Sequence, residues 1–439
     1  MEVKSKIPIS IDNPGIQRIN ERCVNCGVCR NICTNKVGIC YQNKMEGNPA
    51  CINCGQCILN CPMGAITPKY EYQKVKEEIL NPKKVTVALI SPAVRVSLGE
   101  LFNIKPGTNV EKKIVNSLKK LGFNYVFDTT FGADLTVVEE ANELLSRIKS
   151  NTRLPMFSSC CSSWVKYAEI YHPELLENLS SCKSPISMQN TVIKTYFANK
   201  NNIDSSDIVT IAITPCTSKK MEIKRKEISD GDYVLTTNEL GIFLKEEGIN
   251  LNDLEEKEFD TLVGNGSGAG VIFGNSGGVS EAIIRTIYHY ITGKDPESNL
   301  LNYEQVRGLN SIKEACITID NTKLNIAVVY GLPNLEKLLN NGINKYHFIE
   351  VMNCPGGCIG GGGQPLVPIS KQDEINKLRI AGLYSIDTNK NIRCSYQNKE
   401  IKKLYDEYLN NPLSSKSYKL LHTTYQDKSE LLKEKSFNI

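Results

Sequence analysis

The chain lacks the long apolar runs and the charge bias that mark several common classes of protein. None of the apolar runs in its 439 residues reaches the ~18 residues that a membrane-spanning helix needs. The first ten residues, MEVKSKIPIS, have no apolar h-region, so we expect no signal peptide. The formal net charge is only +4, too small a bias to indicate nucleic-acid binding. We therefore expect a cytoplasmic protein in a reducing setting.

Histidine is scarce, and its positions exclude the usual histidine metal motifs. The four histidines are dispersed and none stands in an HxxxC or HExxH context, so we expect structural roles for His172, His289, His347 and His422. Basic stretches at 219–226 and 399–403 contain or adjoin acidic residues, and we interpret them as solvated helix faces.

Cysteine, in contrast, is abundant, with 17 copies that a reducing setting favours as metal ligands over disulfides. Eight of the first nine form two copies of one pattern, 28 residues apart: Cys23, Cys26, Cys29 and Cys33, then Cys51, Cys54, Cys57 and Cys61. The spacing C-x2-C-x2-C-x3-C is typical of two-cluster 4Fe–4S ferredoxins, in which the fourth cysteine of each run ligates the other cluster. The predicted ligand sets are therefore Cys23, Cys26, Cys29 and Cys61, and Cys51, Cys54, Cys57 and Cys33.

Two small features accompany this repeat. Pro62 follows Cys61 as the pattern expects, whereas Thr34 follows Cys33. A pair of zinc sites is the alternative, which the duplicated x2-x2-x3 spacing disfavours. Cys40 lies between the two copies, and we expect no ligand role for it.

From Val85 onward, short apolar strands alternate with helical stretches. Strands are predicted in VTVALI, LGFNYVFDT, LPMF, IVTIAIT, KLNIAVVYG and YHFIEVM, and helices in AVRVSLGELF, LTVVEEANELLSRIK and WVKYAEIY. This pattern predicts an α/β domain of two lobes, with mostly parallel sheets around a buried cleft, behind an α+β ferredoxin-like domain. We expect the domains at 1–72 and 73–439, joined by a helix over Tyr70–Leu80, with a helical cap rather than a core over about 373–439.

Five further cysteines each come just after a predicted strand: Cys160, Cys161, Cys216, Cys354 and Cys358. Loops at the carboxyl ends of strands converge on the ligand crevice of α/β folds, so these thiols predict a second metal site. Cys182, Cys316 and Cys394 lack this placement, and we interpret them as buried small hydrophobic residues.

Three motifs carry that second site: SSCCSSW at Ser158–Trp164, TPCTSKK at Thr214–Lys220, and EVMNCPGGCIGGGGQP at Glu350–Pro365. In these motifs, and in LLHTTY near the end, the sequence resembles the iron-only (FeFe) hydrogenases from about Glu21 to the C-terminus. The resemblance implies an H-cluster, a 4Fe–4S cubane joined through a cysteine to a two-iron unit with CO, CN and a bridging dithiolate.

Residue roles follow from the resemblance alone. It implies that the cubane is ligated by Cys161, Cys216, Cys354 and Cys358, and that Cys358 also bridges to the two-iron unit. It implies that Lys219 hydrogen-bonds a cyanide ligand, whereas Lys220 is expected to be solvated. Further contacts to the cofactor are implied for Pro92, Ala93, Thr214 and Met352.

Glycine is concentrated in the third motif and in a second run, Gly264–Gly278. Neither run has the lysine of a phosphate-binding loop. We expect Gly356–Gly357 and Gly360–Gly363 to let backbone approach a large cofactor, because glycine has no Cβ. The resemblance implies that the second run also lines the cofactor pocket; a surface loop is the alternative.

Hydrogen chemistry also needs a chain of groups that exchange protons. The resemblance implies a route through Cys160, Glu140, Ser180 and Glu143, with Arg147 near its outer end. We expect the helix N-terminus beside Cys160 to lower the pKa of its thiol.

Six residues depart from the common family pattern: Ala93, Ser158, Ser162, Ser163, Ile186 and Thr214. Because polarity around a metal group tunes its redox behaviour, we expect a shift in catalytic bias, more toward hydrogen oxidation.

The resemblance predicts a ferredoxin hydrogenase that interconverts H2 with protons and electrons. Soluble ferredoxin or flavodoxin is the expected electron partner, and maturation enzymes are expected to install the two-iron unit. The alternatives are a hydrogen sensor, which usually carries an added signalling module, a non-catalytic iron–sulfur assembly protein, and a ferredoxin fused to a zinc domain.

Overall fold

The structure is a computed structural model, and it describes residues 6–39 and 50–432. Cys40 therefore lies outside the described residues. The described strands are β1 Ile16–Arg18, β2 Ile66–Pro68, β3 Val85–Ile90, β4 Tyr125–Asp128, β5 Met156–Phe157, β6 Ile208–Thr214, β7 Tyr233–Thr236, β8 Ile312–Ile319, β9 Thr322–Tyr330 and β10 Phe348–Met352.

The cysteine repeat in the sequence is also a repeat in backbone conformation. Asn25 and Gly27 in the first copy, and Asn53 and Gly55 in the second, all have positive φ angles. Each glycine immediately precedes a short helix, α1 Val28–Asn31 or α2 Gln56–Leu59. Strands β1 and β2 pair antiparallel and close the two halves together. Glycine is suited to these turns because it adopts positive φ without strain.

One lobe of the larger domain is built on a four-stranded parallel sheet in the order β4-β3-β6-β7. All of its neighbouring strands are parallel, and β3 and β6 are paired along six residues from Val85 opposite Ile208 to Ile90 opposite Ile213. Strand β6 is buried along its whole length, as its unbroken apolar sequence requires.

The other lobe is built on a mixed sheet in the order β5-β10-β9-β8. Strands β5, β10 and β9 are parallel, whereas β8 and β9 form an antiparallel hairpin around Asp320, which has a positive φ angle. The carboxyl ends of β5 and β10 lead directly into the first and third cysteine motifs.

Helices cover and separate the two sheets. After α1 and α2 they are α3 Tyr72–Leu80, α4 Glu111–Leu121, α5 Thr130–Ser150, α6 Ser162–Tyr171, α7 Pro185–Val192, α8 Ala198–Lys200, α9 Lys219–Glu222, α10 Thr237–Glu246, α11 Gly268–Ile272, α12 Gly278–Thr292, α13 Ser298–Leu301, α14 Leu332–Asn340, α15 Gln372–Asn389, α16 Lys399–Leu404 and α17 Ser415–Leu421. The longest, α5, contacts α7, α11 and α12 and lies between the lobes. In the described part of the chain, none of the helices combines the length and apolar character needed to cross a bilayer.

The predicted fold class is confirmed: two α/β lobes flank a cleft behind a small cysteine-rich unit. In the larger domain all six predicted strands are present, but β7 and β8 were missed. The predicted helix AVRVSLGELF is instead two 3₁₀ turns, Pro92–Val96 and Leu98–Phe102, with Ser97 out of helical conformation between them.

The C-terminal helical cap contributes side chains to the hydrophobic core. Its helices bury Leu383, Ile401, Leu404 and Leu421 in clusters shared with the two lobes. The prediction that this region stands outside the core was therefore wrong, because its polar surface concealed the apolar stripe of each helix.

The cysteine-rich unit meets the larger domain through very close backbone contacts. A Cβ at Gly362 would lie 2.4 Å from the carbonyl oxygen of Cys54. Thr217 Oγ1 donates to the carbonyl oxygen of Asn53 at 2.6 Å, and Gln56 Nε2 donates to that of Gly360 at 2.9 Å. The second cysteine repeat is thus held directly against the second and third motifs.

Candidate active site

A cavity of about 800 Å³ lies between the two lobes, at the carboxyl ends of both sheets. Strands β3, β6, β5 and β10 end at Ile90, Thr214, Phe157 and Met352, and the residues after them form its walls. Its lining includes all three sequence motifs: Cys160, Cys161, Ser162, Ser163, Thr214, Pro215, Cys216, Lys219, Met352, Asn353, Cys354, Gly357, Cys358 and Gly361.

Four cysteines from separate segments face this cavity. Cys161 is the N-cap residue of α6, Cys216 follows β6, Cys354 follows β10, and Cys358 begins a 3₁₀ turn. Burial raises the pKa of Cys216 to about 11, and it holds the pKa of Cys354 well above its ordinary value. Thiols this reluctant to ionise become good ligands only when a cation replaces their protons, and soft thiolates suit iron–sulfur units. This donor set fits a cubane.

Of the residues that depart from the common family pattern, five line the cavity and Ser158 does not. Ala93, Ile186 and Thr214 contribute small or apolar surface, and Ser162 and Ser163 lie at the start of α6. Pro92 and Met352 line the same walls. The departures therefore change the immediate surroundings of whatever occupies the cavity.

The two glycine runs divide their roles in a way the sequence did not indicate. Gly357 and Gly361 line the cavity, but Gly362 packs against the cysteine-rich unit instead. Of the run Gly264–Gly278, Phe273 and Gly274 are the residues that reach the cavity wall. Part of each run thus serves packing between segments and not the cavity.

Lys219 is buried at the cavity wall beside a carboxylate. Its ammonium donates to the carbonyl oxygen of Cys160 at 3.1 Å and to Glu222 at 2.8 Å. Burial alone would lower the pKa of Lys219, but the charge of Glu222 outweighs burial and raises it. The side chain therefore stays charged and can donate hydrogen bonds into the cavity.

Glu222 is a functional residue that the sequence reasoning missed. Its carboxylate also accepts hydrogen bonds from Ser162, Ser184 and Ser187, the last at 2.9 Å. Ser162, one of the residues that depart from the family pattern, therefore hydrogen-bonds the same Glu222 carboxylate that pairs with Lys219. The available signal was the three-residue spacing of Lys219 and Glu222 on one helix face.

The predicted proton-route residues lie together on one side of the cavity. Ser180 Oγ donates to Glu143 Oε2 at 3.2 Å, and Arg147 donates to Glu143 Oε1 at 2.7 Å. Glu140 is buried, and neither carboxyl oxygen has a hydrogen bond of standard geometry, although the Ser180 hydroxyl lies close enough to lower its pKa slightly. Burial is the larger effect and raises the pKa of Glu140 to about 8. A carboxyl with that pKa can hold and release a proton near neutral pH.

Three predictions about individual side chains were wrong. The pKa of Cys160 is raised well above its ordinary value, not lowered, because burial outweighs the helix N-terminus. Lys220 is buried between Glu71 and Glu239, each 3.0 Å away, and is not solvated. Cys316 is exposed, because alternation along the β8 edge strand turns it to solvent.

Two further predictions concern buried cysteines and a basic stretch. Cys182 and Cys394 are buried, as predicted. The basic stretch 219–226 is not a solvated face, however, since Arg225 pairs with the buried Glu169 at 2.6 Å. None of the four described histidines lines the large cavity.

A second, smaller cavity of about 330 Å³ lies at the surface of the cysteine-rich unit. It is lined by Cys23, Cys26 and Cys29 of the first copy and by Cys61 of the second. Cys33 lies in a π turn, Ile32–Val37, that contacts helix α2, which carries Cys57. The fourth cysteine of each copy thus lies near the opposite set.

The second copy lies nearer the large cavity than the first. Cys216 is close enough to Cys54 to contribute to the raised pKa of Cys54, and Gln56 Nε2 donates to Cys354 Sγ at 3.4 Å. The order from the surface inward is the small cavity, the second copy, and the large cavity. Gln56 was not predicted, and nothing in the repeat distinguishes it.

Comparison with known proteins now decides the family. Residues 84–362 match the model of the C-terminal domain of the iron only hydrogenase large subunit, 373–428 match the iron hydrogenase small subunit, and 20–36 and 48–64 match a 4Fe-4S binding domain. The chain belongs to the iron-only hydrogenase family. Its large domain is thus an H-cluster domain, and the predicted resemblance is confirmed.

Individual relatives agree with this assignment but differ in what they do. Iron hydrogenase 1 from Clostridium pasteurianum is 41% identical over 92% of this chain and 75% of its own length. A variant of the apo FeFe-hydrogenase HydA1 from Chlamydomonas reinhardtii aligns with a TM-score of 0.71 and 39% identity, over 81% of this chain and 98% of that one. The cytosolic Fe-S cluster assembly factor narfl from Danio rerio is 31% identical over 80% of this chain and 88% of its own length.

Proposed function

We propose that this protein is a hydrogenase that interconverts H2 with protons and electrons at an H-cluster in the large cavity. The observation that carries this proposal is the convergence of Cys161, Cys216, Cys354 and Cys358 with Lys219 on one enclosed space. In this proposal the four cysteines hold the cubane, and Cys358 also faces the two-iron unit. When bound, that group supplies the iron centre at which H2 is split or formed.

The protein's own residues would hold the group and exclude water. Lys219, kept charged by Glu222, would donate a hydrogen bond to an anionic ligand of the two-iron unit. Met352, Pro92 and Ala93 add apolar surface to the cavity lining, and Thr214 adds a hydroxyl. A dry wall strengthens the electrostatic effect of the lysine, because fewer water molecules screen its charge.

Protons would move between this cavity and the surface through Cys160, Glu140, Ser180 and Glu143. Support comes from burial along the row and from the hydrogen bond between Ser180 and Glu143 at 3.2 Å. Arg147 holds Glu143 at the outer end. Each of these groups can give and take one proton, which is what a relay requires.

Electrons would enter or leave through the two 4Fe–4S clusters, with Cys23, Cys26, Cys29 and Cys61 holding the outer one. The outer cavity carries exposed apolar side chains, Val24 at 61% and Met63 at 48%, beside the cations Lys6 and Arg18. A small acidic carrier such as ferredoxin or flavodoxin would match this surface in charge. The inner cluster, held by Cys51, Cys54, Cys57 and Cys33, would complete the relay.

Three further points belong to the same proposal. Domain boundaries at 1–72 and 73–439 remain predictions. A cytoplasmic setting is also a prediction, and the 17 cysteines, expected to act as metal ligands, favour it. Maturation enzymes would install the two-iron unit.

Catalytic bias toward hydrogen oxidation is proposed from the changed cavity wall. A protein-film voltammetry current dominated by proton reduction would overturn this part of the proposal.

The decisive experiment is hydrogen evolution from reduced viologen by protein matured with a complete two-iron unit. Infrared bands in the carbonyl–cyanide region, together with turnover, are the expected result. Protein expressed without maturation enzymes should show the cubanes and no turnover. Carbonyl–cyanide bands without turnover would overturn the catalytic proposal.

A non-catalytic assembly role is the second candidate, favoured by the similarity to the assembly factor narfl. The presence of Cys160, Lys219 and Met352 on the cavity wall argues against it, because an assembly factor has no need of a proton donor there. Absence of carbonyl–cyanide bands after maturation would favour this candidate.

A further inference from the structure

A cluster of three metal-ligating side chains lies outside both cavities, where the C-terminal segment packs against the larger domain. Glu143, Cys182 and His422 are all buried, and one ligand atom from each lies within 4.8 Å of the others. Cys182 Sγ is 3.8 Å from Glu143 Oε2. Sulfur, imidazole nitrogen and carboxylate oxygen form a mixed donor set typical of zinc sites.

The backbone sets two of these ligands side by side. Cys182 and His422 face each other in an isolated antiparallel bridge. The flanking hydrogen bonds run from Lys183 N to Leu421 O and from Thr423 N to Ser181 O, both 2.8 Å. In such a non-hydrogen-bonded pair the side chains stand closest together. Their proximity therefore does not depend on a chance rotamer.

The imidazole is oriented as it would be in a metal site. His422 Nε2 lies 3.1 Å from Glu139 Oε2, and Glu139 is itself fixed by Tyr405, whose hydroxyl donates to it at 2.6 Å. A carboxylate behind one ring nitrogen fixes the tautomer and leaves the other nitrogen free to bind a metal. Here Nδ1 faces the Ser181 hydroxyl at 2.7 Å, on the side of Glu143. Tyr418 stacks on the ring at 4.3 Å and fixes its plane.

Charge around the cluster suits a cation. Glu139 and Glu143 contact it directly, and Glu140 is close enough to influence Cys182. Arg147 is the opposing charge, and it binds Oε1 of Glu143, while Oε2 faces the Cys182 sulfur. The oxygen that faces Cys182 is thus the one that the guanidinium does not bind.

We propose that Glu143, Cys182 and His422 form a binding site for one borderline-soft divalent cation of the Zn²⁺ class. Binding replaces the thiol proton of Cys182, which passes to solvent, by a metal–sulfur bond. Glu143 binds as the carboxylate through Oε2. His422 binds through Nδ1, keeps its proton on Nε2 and donates it in the hydrogen bond to Glu139. The Ser181 hydroxyl gives up its hydrogen bond with Nδ1, and its oxygen or a water takes the fourth position.

The test uses matured protein with its iron–sulfur groups loaded, titrated anaerobically with Zn²⁺ in a chelator-buffered series. We expect one zinc per chain, and zinc-edge X-ray absorption with a single sulfur at about 2.3 Å among nitrogen and oxygen ligands. Cys182→Ser and His422→Gln should each weaken binding at least tenfold. Glutamine keeps a donor toward Glu139, so the second variant preserves the local packing.

Two matched variants are the controls. Cys394→Ser removes another buried thiol, and Cys316→Ser removes an exposed one, so neither should change zinc binding. Three results would each overturn the proposal. They are bound zinc with no sulfur ligand, loss of the sulfur ligand in Cys316→Ser, and unchanged zinc affinity in His422→Gln. If Cys182→Ser fails to load iron, His422→Gln and the sulfur count in the unaltered protein decide the question.

A functional consequence follows only if the proposed proton route is correct. Zinc on Glu143 would occupy its outer end, so turnover should fall with the same zinc dependence as binding. Zinc bound at the site without inhibition would count against the route through Glu143 and leave the metal site intact.

Discussion

The two cysteine-lined cavities differ in how the chain brings their ligands together. The outer cavity takes its four cysteines from the two copies of one repeat, in which Asn25 and Gly27 adopt the same turn as Asn53 and Gly55. The large cavity takes its cysteines from the ends of β5, β6 and β10, in two different sheets. The first site therefore needs only the folded repeat, whereas the second exists only when both sheets are folded.

This difference also separates the roles we assign to the two regions. The outer site is at the surface, with Cys26 exposed, so it suits exchange of electrons with a partner. The large cavity is enclosed, and its thiols resist ionisation because they are buried beside one another. The large cavity suits the hydrogen reaction better than the outer site does, because exclusion of water strengthens charge interactions inside it.

The largest expected effect is at the enclosed site, on Cys160. Cys160→Ala should leave the infrared and electron paramagnetic resonance signatures of the iron groups intact while turnover falls by about 10²–10⁴-fold. The thiol is the group between the cavity and Glu140, and alanine cannot carry a proton. Cys394→Ala, which removes a buried thiol away from the cavity, is the matched control. Near-normal turnover in Cys160→Ala would remove the thiol from the proton route.

A second test also concerns the enclosed site and measures how turnover depends on pH. Glu140→Gln should lower turnover by about 10²-fold, because an amide cannot release a proton. The pKa of Glu140 is raised to about 8 by burial, so the carboxyl is protonated below pH 8 and ionised above it. Hydrogen evolution by the unaltered protein should therefore decline as pH rises through about 8, and residual activity in the variant should lack that decline.

The same pKa has a consequence for stability, with the sign fixed by linkage. The unfolded carboxyl ionises near its ordinary value of 4.5, whereas the folded one keeps its proton to about pH 8. Burial of Glu140 therefore destabilises the fold progressively as pH rises from about 4.5 to about 8. Chemical denaturation of Glu140→Gln should show a weaker loss of stability across that window. The exposed control Glu177→Gln should follow the unaltered protein.

The third test concerns the outer site and should have a smaller effect on chemistry. Cys26→Ala should remove the outer cluster and slow electron exchange with reduced ferredoxin by about tenfold or more. Exchange of deuterium gas with solvent protons needs no external electrons, so it should stay within about twofold. Rates are compared by gas mass spectrometry and a ferredoxin-coupled assay. An equal loss in both assays would show that the two regions are not functionally separate.

The smallest expected effect comes from the changed cavity wall. The double variant Ser162→Pro/Ser163→Gly restores the common motif and removes the hydroxyl that Ser162 offers to Glu222. We expect the ratio of oxidation to reduction current in film voltammetry to move toward proton reduction by less than about tenfold. Ser187→Ala removes a different hydroxyl from Glu222 and tests whether this carboxylate mediates the shift. An unchanged ratio in the double variant would disconnect the departures from catalytic bias.

The errors in the sequence-based predictions share one physical cause. In the sequence Lys220 resembles an ordinary surface lysine. In the structure it is buried and pairs with Glu71 and Glu239, which belong to distant segments of the chain. Cys316 was predicted to be a core residue, but the register of the β8–β9 hairpin directs its side chain to solvent. Burial and ion pairing are set by residues far away in the chain, and no local pattern encodes them.

The amino-acid sequence by itself determined the two ferredoxin-type cysteine sets, the alternation of strand and helix, and the family through three motifs. Those features are local, because spacing and periodicity over a few residues specify them. Only the tertiary structure decided that Glu222 holds Lys219, that Glu140 is buried, and that His422 meets Cys182. Each depends on long-range packing, which brings groups together and sets the low dielectric in which they titrate.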